Sequence, residues 1–157
     1  MLRKTPLKRG TKQLKRSGFK KKTKPLRKKS KSNIKKLQDK LWELCKQITR
    51  LRYGNVCYTC GKTGLIGSDW HTSHFIPKAS VGAYLKYDLR ILRPSCYHCN
   101  INLGGNGAEY YRRMVLEIGQ KQVDKIFDDK RISIKADEIW YKEKILEYEV
   151  YLNQHIK

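Results

Sequence analysis

Two cysteine pairs, Cys57-x2-Cys60 and Cys96-x2-Cys99, are the residues of this chain most suited to chemistry. Zinc takes four soft donors in a tetrahedron, and a two-residue spacer lets one tight turn bring two sulfurs to the same ion. Gly61 follows the second cysteine, where backbone N–H groups can turn toward a thiolate. Four thiolates leave no open position for water, so the expected Zn²⁺ is structural. The interval between Cys60 and Cys96 is 35 residues, longer than the roughly 15–20 of a plain zinc ribbon. Inside it lies His71-Thr72-Ser73-His74. A neutral imidazole takes a proton from water near pH 7, which makes His74 a candidate general base. Asn100 stands directly behind Cys99, so the zinc turn fixes its position. Its side-chain oxygen suits Mg²⁺ or Mn²⁺, which prefer oxygen donors and retain several waters. His71 is open to three readings: metal ligand, phosphate contact or packed side chain. On a strand it shares a side with Ser73 and not with His74. His98, between the second pair of cysteines, reads as solvent-facing or as a phosphate contact. A base and an oxygen donor on a zinc-stapled loop suit phosphodiester hydrolysis.

Those residues need elements to hold them. Ile34, Leu37, Leu41, Leu44, Ile48 and Leu51 recur at alternating three- and four-residue steps, which predicts one helix over 33–53 with an apolar stripe. Ser32 or Asn33 can cap its start and Gly54 can end it. The stripe either packs on the protein's own core or forms a seam between two copies. Residues 69–76 predict a short strand ending at Pro77, which would hold His74 at the strand end. Residues 77–87 read as a loop and 88–93 as a second strand leading to the second knuckle. After Gly104-Gly105-Asn106-Gly107, helical patterns follow at about 108–118, 120–130 and 137–154. Tyr141, Ile145, Tyr148 and Leu152 form the core side of the last. Cys45 falls within the first helix and reads as a small buried side chain.

The net charge is +22, and it is uneven. Residues 1–36 hold 17 lysines and arginines and no acid, whereas residues 108–157 balance to zero. Such asymmetry points to a polyanionic partner, with nucleic acid first. Residues 1–32 repeat Pro-Leu-Lys-Arg (6–9) as Pro-Leu-Arg-Lys (25–28) and have too little apolar surface to pack. They are expected to be a disordered arm that grips phosphate without sequence choice. The candidate nucleic-acid contacts are Lys8, Arg9, Lys15, Arg16, Lys20, Lys21, Lys22, Arg27, Lys28 and Lys29 in the arm, with Lys78 and Arg93 in the core. The length suits one domain, with the core expected over 33–119 and C-terminal helices over 120–157. An odd cysteine count with CxxC pairs suits metal thiolates in a reducing, cytoplasmic setting. No apolar run reaches the roughly 18 residues of a membrane span, and the N-terminus lacks the apolar stretch of a secretory signal.

In motif order the chain resembles the HNH (His-Me finger) nucleases, and more closely the phage NinG (Rap) recombination endonuclease family. The resemblance covers 1–119. It runs through the basic arm, Cys57-Tyr-Thr-Cys60-Gly, His71-Thr-Ser-His74-Phe-Ile-Pro and Lys86-Tyr87-Asp88. It continues with Arg93-Pro94-Ser95-Cys96-Tyr-His-Cys99-Asn100, Gly105-Asn106 and Tyr110-Tyr-Arg112, and ends at Ile118-Gly119. It implies a mostly helical α+β fold, with a zinc-stapled ββα-metal finger and flanking helices. It implies His74 as general base, Asn100 as a ligand of a catalytic Mg²⁺ or Mn²⁺, and His71 as a further ligand. Branched DNA, such as junctions or displacement loops, is the implied substrate, and 5′-phosphate and 3′-hydroxyl ends are the implied products. Two opposed cuts would need two sites, hence a homodimer. The chain departs from the pattern twice. Ser73 stands where many relatives carry a metal-binding aspartate, so that His71, Asp69 or Asp88 would have to substitute. Ile91 stands where relatives carry an asparagine that braces the loop holding the base. These departures support the alternative of a zinc-dependent DNA- or RNA-binding module without catalysis. A protein of RNA or ribosomes would rest on charge alone.

Overall fold

The apolar stripe of the first predicted helix becomes the spine of the fold in the computed structural model, which describes residues 32–155. Helix α1 spans Asn33–Tyr53, and the Ser32 side chain caps it by accepting from the Lys35 N–H. Leu41, Cys45 and Ile48 on α1 are fully buried. Helix α5 (Glu138–His155) lies along this stripe and buries Tyr141, Ile145, Tyr148 and Leu152. The stripe therefore serves the protein's own core, and the seam between copies considered for it is occupied by α5. Only its ends, Ile34 and Leu51, are exposed. Cys45 is buried as expected: its Sγ lies 3.5 Å from the Tyr87 carbonyl, and burial pushes the thiol up to about 12.

Strand β1 (Trp70–His74) pairs antiparallel with β2 (Leu92–Cys96) in a two-stranded sheet. The register sets Trp70 opposite Cys96 and His74 opposite Leu92. One end of the sheet thus carries a zinc-type cysteine and the other the candidate base. The second strand was expected at 88–93, and it starts later. The Asp88 carboxylate accepts from the Arg90 N–H at 2.8 Å and turns Leu89–Ile91 into a single 3-10 turn. Pro94 then sits inside the strand without disrupting it, because each strand of a two-stranded sheet has a free edge. Its carbonyl accepts from the Tyr58 N–H at 2.8 Å. The 77–87 segment is less irregular than expected and holds a 3-10 turn at Lys78–Ser80 and a short helix α2 (Ala83–Lys86).

Beyond β2 the chain makes a π-helical turn at His98–Asn102 and enters α3 (Gly107–Ile118) and α4 (Gln120–Asp129). Gly119, with φ 82°, separates these two helices and permits the sharp break. The main core joins α1 and α5 to Phe75, Ile91, Leu92, Tyr110, Met114 and Ile126. A smaller cluster of Cys57, Leu65, Cys96 and Cys99, with Trp70 against it, lies under the knuckles. The result is a mostly helical α+β fold. Among the described residues no helix is long and apolar enough to cross a membrane.

Arg93 corrects one expectation. It was expected to contact nucleic acid, and it is 2% exposed. Its guanidinium forms a fork on Glu117, with Nη2–Oε1 at 3.0 Å and Nε–Oε2 at 3.1 Å, and also donates to the carbonyls of Leu92 and Arg90. The rings of Tyr53 and Tyr58 stack on it at 4.6 and 5.3 Å. Its charge is used up inside the protein. Arg93→Ala should destabilise the fold by about 3 kcal/mol, because it leaves Glu117 with its tyrosine hydrogen bonds but without its counter-charge. Urea denaturation checks this, and an unchanged midpoint would contradict it.

Candidate metal centre and active site

The knuckles bring Cys57, Cys60, Cys96 and Cys99 together so that all four Sγ atoms lie within 4.8 Å of one another. Cys60 Sγ and Cys96 Sγ are 3.8 Å apart, and a tetrahedron with Zn–S of about 2.3 Å has an edge of about 3.8 Å. Donor type and spacing both fit zinc. Burial raises the Cys60 thiol and pushes Cys99 up to about 12. At Cys57 burial acts in the same direction, but hydrogen bonds from the Thr59 hydroxyl and from nearby backbone N–H groups outweigh it and hold the thiol at about 5. Crowded thiols of this kind ionise together only beside a cation. The Cys99 N–H points at Cys96 Sγ (3.4 Å), and the Thr59 hydroxyl lies 3.5 Å from Cys57 Sγ. Gly61 adopts φ 76°, but its N–H donates to the Cys57 carbonyl and not to sulfur. Asp69 clamps the two knuckles, accepting from Lys62 Nζ at 2.7 Å and from the Tyr97 N–H at 3.0 Å.

At the far end of β1, His74 Nε2 lies 2.9 Å from the Lys86 carbonyl. A carbonyl only accepts, so Nε2 carries the proton and Nδ1 keeps its lone pair. Trp42 of α1 stacks on the imidazole, with centroids 5.1 Å apart and planes 6° from parallel. Burial lowers the His74 pKa from 6.5, and the charges of Lys78 and Lys86 act in the same direction. The segment after His74, where the resemblance leads one to expect an asparagine brace, is held here by backbone and by tyrosine. The Phe75 N–H donates to the Ile91 carbonyl at 2.8 Å, and the Tyr110 hydroxyl donates to the same carbonyl at 3.1 Å. Ile91 itself is fully buried in the core.

His71 and Asn100 form a pair. His71 Nε2 lies 2.9 Å from the Ser68 carbonyl and therefore carries the proton. Its Nδ1 then accepts from Asn100 Nδ2 at 3.2 Å. This fixes the Asn100 amide with its Oδ1 turned away from His71. Both His71 nitrogens are engaged, so His71, expected as a metal ligand, positions Asn100 instead. Ser73 is buried and its hydroxyl donates to the Arg93 carbonyl, 3.4 Å away. The two acids considered as substitutes are also committed, Asp69 as above and Asp88 to Arg90 with two hydrogen bonds at 2.9 and 2.7 Å. His98 is exposed, its Nδ1 3.2 Å from Asn102 Nδ2.

His74 and Asn100 line one cleft of about 320 Å³, together with Trp42, Thr72, Lys78 and the Gly104-Gly105 turn. Lys78 is exposed, with its ammonium 5.9 Å above the Trp42 ring. The cleft joins a base with a free lone pair, an amide oxygen and a cation. The arm residues Lys8, Arg9, Lys15, Arg16, Lys20, Lys21, Lys22, Arg27, Lys28 and Lys29 lie outside the described residues. Trp42 and the Lys86 carbonyl were not foreseen. Trp42 reads in sequence as one more apolar residue of α1, and a backbone carbonyl leaves no signature.

No curated protein and no solved structure matches the chain. The family model described as the bacteriophage lambda NinG protein matches residues 2–155. That span takes in α4 and α5, beyond the 1–119 over which the motifs carry the resemblance. Covering nearly the whole length, the match shows that the chain belongs to the phage NinG family.

Proposed function

We propose that the protein is a metal-dependent DNA endonuclease of phage recombination that cuts branched DNA, with β1, β2 and the turn into α3 acting as a ββα-metal finger. The supporting observation is the tautomer of His74, whose Nε2–H is held by the Lys86 carbonyl and whose Nδ1 therefore keeps its lone pair, in a residue that lines one cleft with Asn100. In this reading Nδ1 takes a proton from water as the water oxygen attacks phosphorus. The bond to the 3′ oxygen breaks and that oxygen takes a proton from solvent, leaving 5′-phosphate and 3′-hydroxyl ends. Lys78 neutralises the phosphate at the mouth of the cleft. Branched DNA comes from the family resemblance. Paired cuts at a junction would need two copies, whose interface must lie away from the covered stripe of α1.

The donors for a catalytic Mg²⁺ or Mn²⁺ are sparse. Such ions are usually held by one or two carboxylates, and no carboxylate is among the residues lining the cleft. Asn100 Oδ1 is the one amide oxygen offered, so the site does not fit an ion by itself and phosphate oxygens would have to complete the shell. Isothermal titration of Mn²⁺ into the zinc-loaded protein should show no binding without DNA. Tight binding by the free protein would contradict this.

The sparse donor set also favours a second reading, a zinc module that binds DNA without cutting it. The pH profile separates the two. A base with a depressed pKa loses its proton early, so kcat/KM should rise with pH through a midpoint below 6.5. A midpoint above 6.5 would rule out His74 as the base, and no turnover at any pH in Mg²⁺ or Mn²⁺ would favour the second reading.

A further inference from the structure

A second groove, of about 560 Å³, borders the cleft and is lined by Lys78, Ala79, Val81, Ala83, Lys86 and Tyr141. Lys78 belongs to both, so the groove continues the cleft. We propose that this groove is the subsite for the DNA phosphate next to the scissile one, held by the ammonium groups of Lys78 and Lys86.

The charge pattern supports this role for the two lysines. Lys35, Lys40, Lys46, Lys62, Lys142 and Lys144 each hold a carboxylate. Among the described residues, Lys36, Lys78, Lys86, Lys121, Lys125, Lys130 and Lys135 are in no such ion pair, and of these Lys78 and Lys86 line the same groove. Lys86 is also half-buried, with its ammonium 5.1 Å from the Tyr87 ring centroid. Burial first, and then the charges of Lys78 and Lys35, push its pKa below the usual lysine value. A half-buried cation that is repelled by its neighbours and lacks a counter-charge gains from an anion that a ligand brings. The small side chains of Ala79, Val81 and Ala83 leave room for one, and Tyr141, fixed by a 3.1 Å hydrogen bond from Gln38 Nε2, closes the far side.

Lys86 also connects the groove to the chemistry. Its carbonyl holds His74 Nε2, and Lys86 is one of the residues lining the groove. A strand seated there would fix the segment that orients the base. The inference rests on the DNA-binding part of the proposed function and does not require cleavage.

The test uses the zinc-loaded full chain with no added Mg²⁺ or Mn²⁺, free and saturated with a four-way DNA junction. Lysine acetylation read by mass spectrometry should fall severalfold at Lys78 and Lys86 on binding, and stay unchanged at Lys142 on α5. Lys86→Gln, which keeps the backbone carbonyl, should reduce the slope of log K against log salt by about 0.9, the value for one phosphate no longer neutralised. Lys142→Gln should leave the slope as it is. Equal acetylation of Lys86 in free and bound protein, protection spread equally to Lys142, or an unchanged slope for Lys86→Gln would each overturn the proposal. Protection of Lys78 and Lys86 in a protein that never cuts would support the subsite and count against the nuclease reading.

Discussion

Removing zinc, or replacing Cys96 by serine, should unfold the protein. Structural zinc in small domains is worth about 10–16 kcal/mol near neutral pH, against a total stability of about 5–15 kcal/mol for a domain. Here the cysteines are also core. Cys57 is fully buried and Cys96 and Cys99 nearly so, and with Leu65 and Trp70 they make up the satellite cluster. Cys96 closes β2 opposite Trp70, so loss of the metal frees one end of the sheet, and Asn100 loses its anchor with it. Thermal melting by circular dichroism, with and without a strong zinc chelator, checks this. The cooperative transition should vanish, and elemental analysis should find one zinc per chain beforehand. An unchanged transition after chelation would contradict the zinc assignment. The pH direction follows from the ligands. Protons compete with zinc for thiolates, so the metal leaves as pH falls.

Replacing His74 by alanine should reduce single-turnover cleavage by about 10²–10⁴, the usual worth of a positioned general base. DNA affinity should stay within a few fold, because the unpaired cations beside the cleft, Lys78 and Lys86, remain. The substitution also uncovers the Trp42 face and frees the Lys86 carbonyl. Some loss of stability is therefore expected and must be separated from the loss of rate. Trp42→Phe keeps an aromatic face on the imidazole and serves as the control. It should retain most of the rate, whereas a loss as large as that of His74→Ala would mean that the cleft, and not the base, had been damaged.

The parts of this fold that are local in sequence were legible in it. The three- and four-residue steps of Leu41, Leu44 and Ile48 marked α1, and the two CxxC turns marked the metal centre, because each depends on neighbours a few residues away. Parts set by distant residues were not. Arg93 looked like a phosphate contact because it is a cation in a basic chain. Its partner Glu117 lies 24 residues on, and the tyrosines that cover it lie about 40 residues back. His71 looked like a ligand because of its residue type. Its engagement with Asn100 depends on β1 pairing with β2, which carries Asn100 across 29 residues of chain. The second strand, expected from 88, begins only at Leu92, because the Asp88 side chain turns Leu89–Ile91 into a 3-10 turn.

The central claim is that the cleft of His74 and Asn100 hydrolyses DNA. Its most direct test is incubation of the zinc-loaded protein with an end-labelled four-way junction and a matched linear duplex, in Mg²⁺, in Mn²⁺ or with no added divalent ion. Cuts in the junction that need the divalent ion, favour the junction over the duplex and leave ends ligatable without phosphorylation are the predicted result. Tight binding to the junction with no cut in either metal would contradict it and leave a zinc-stapled DNA-binding protein.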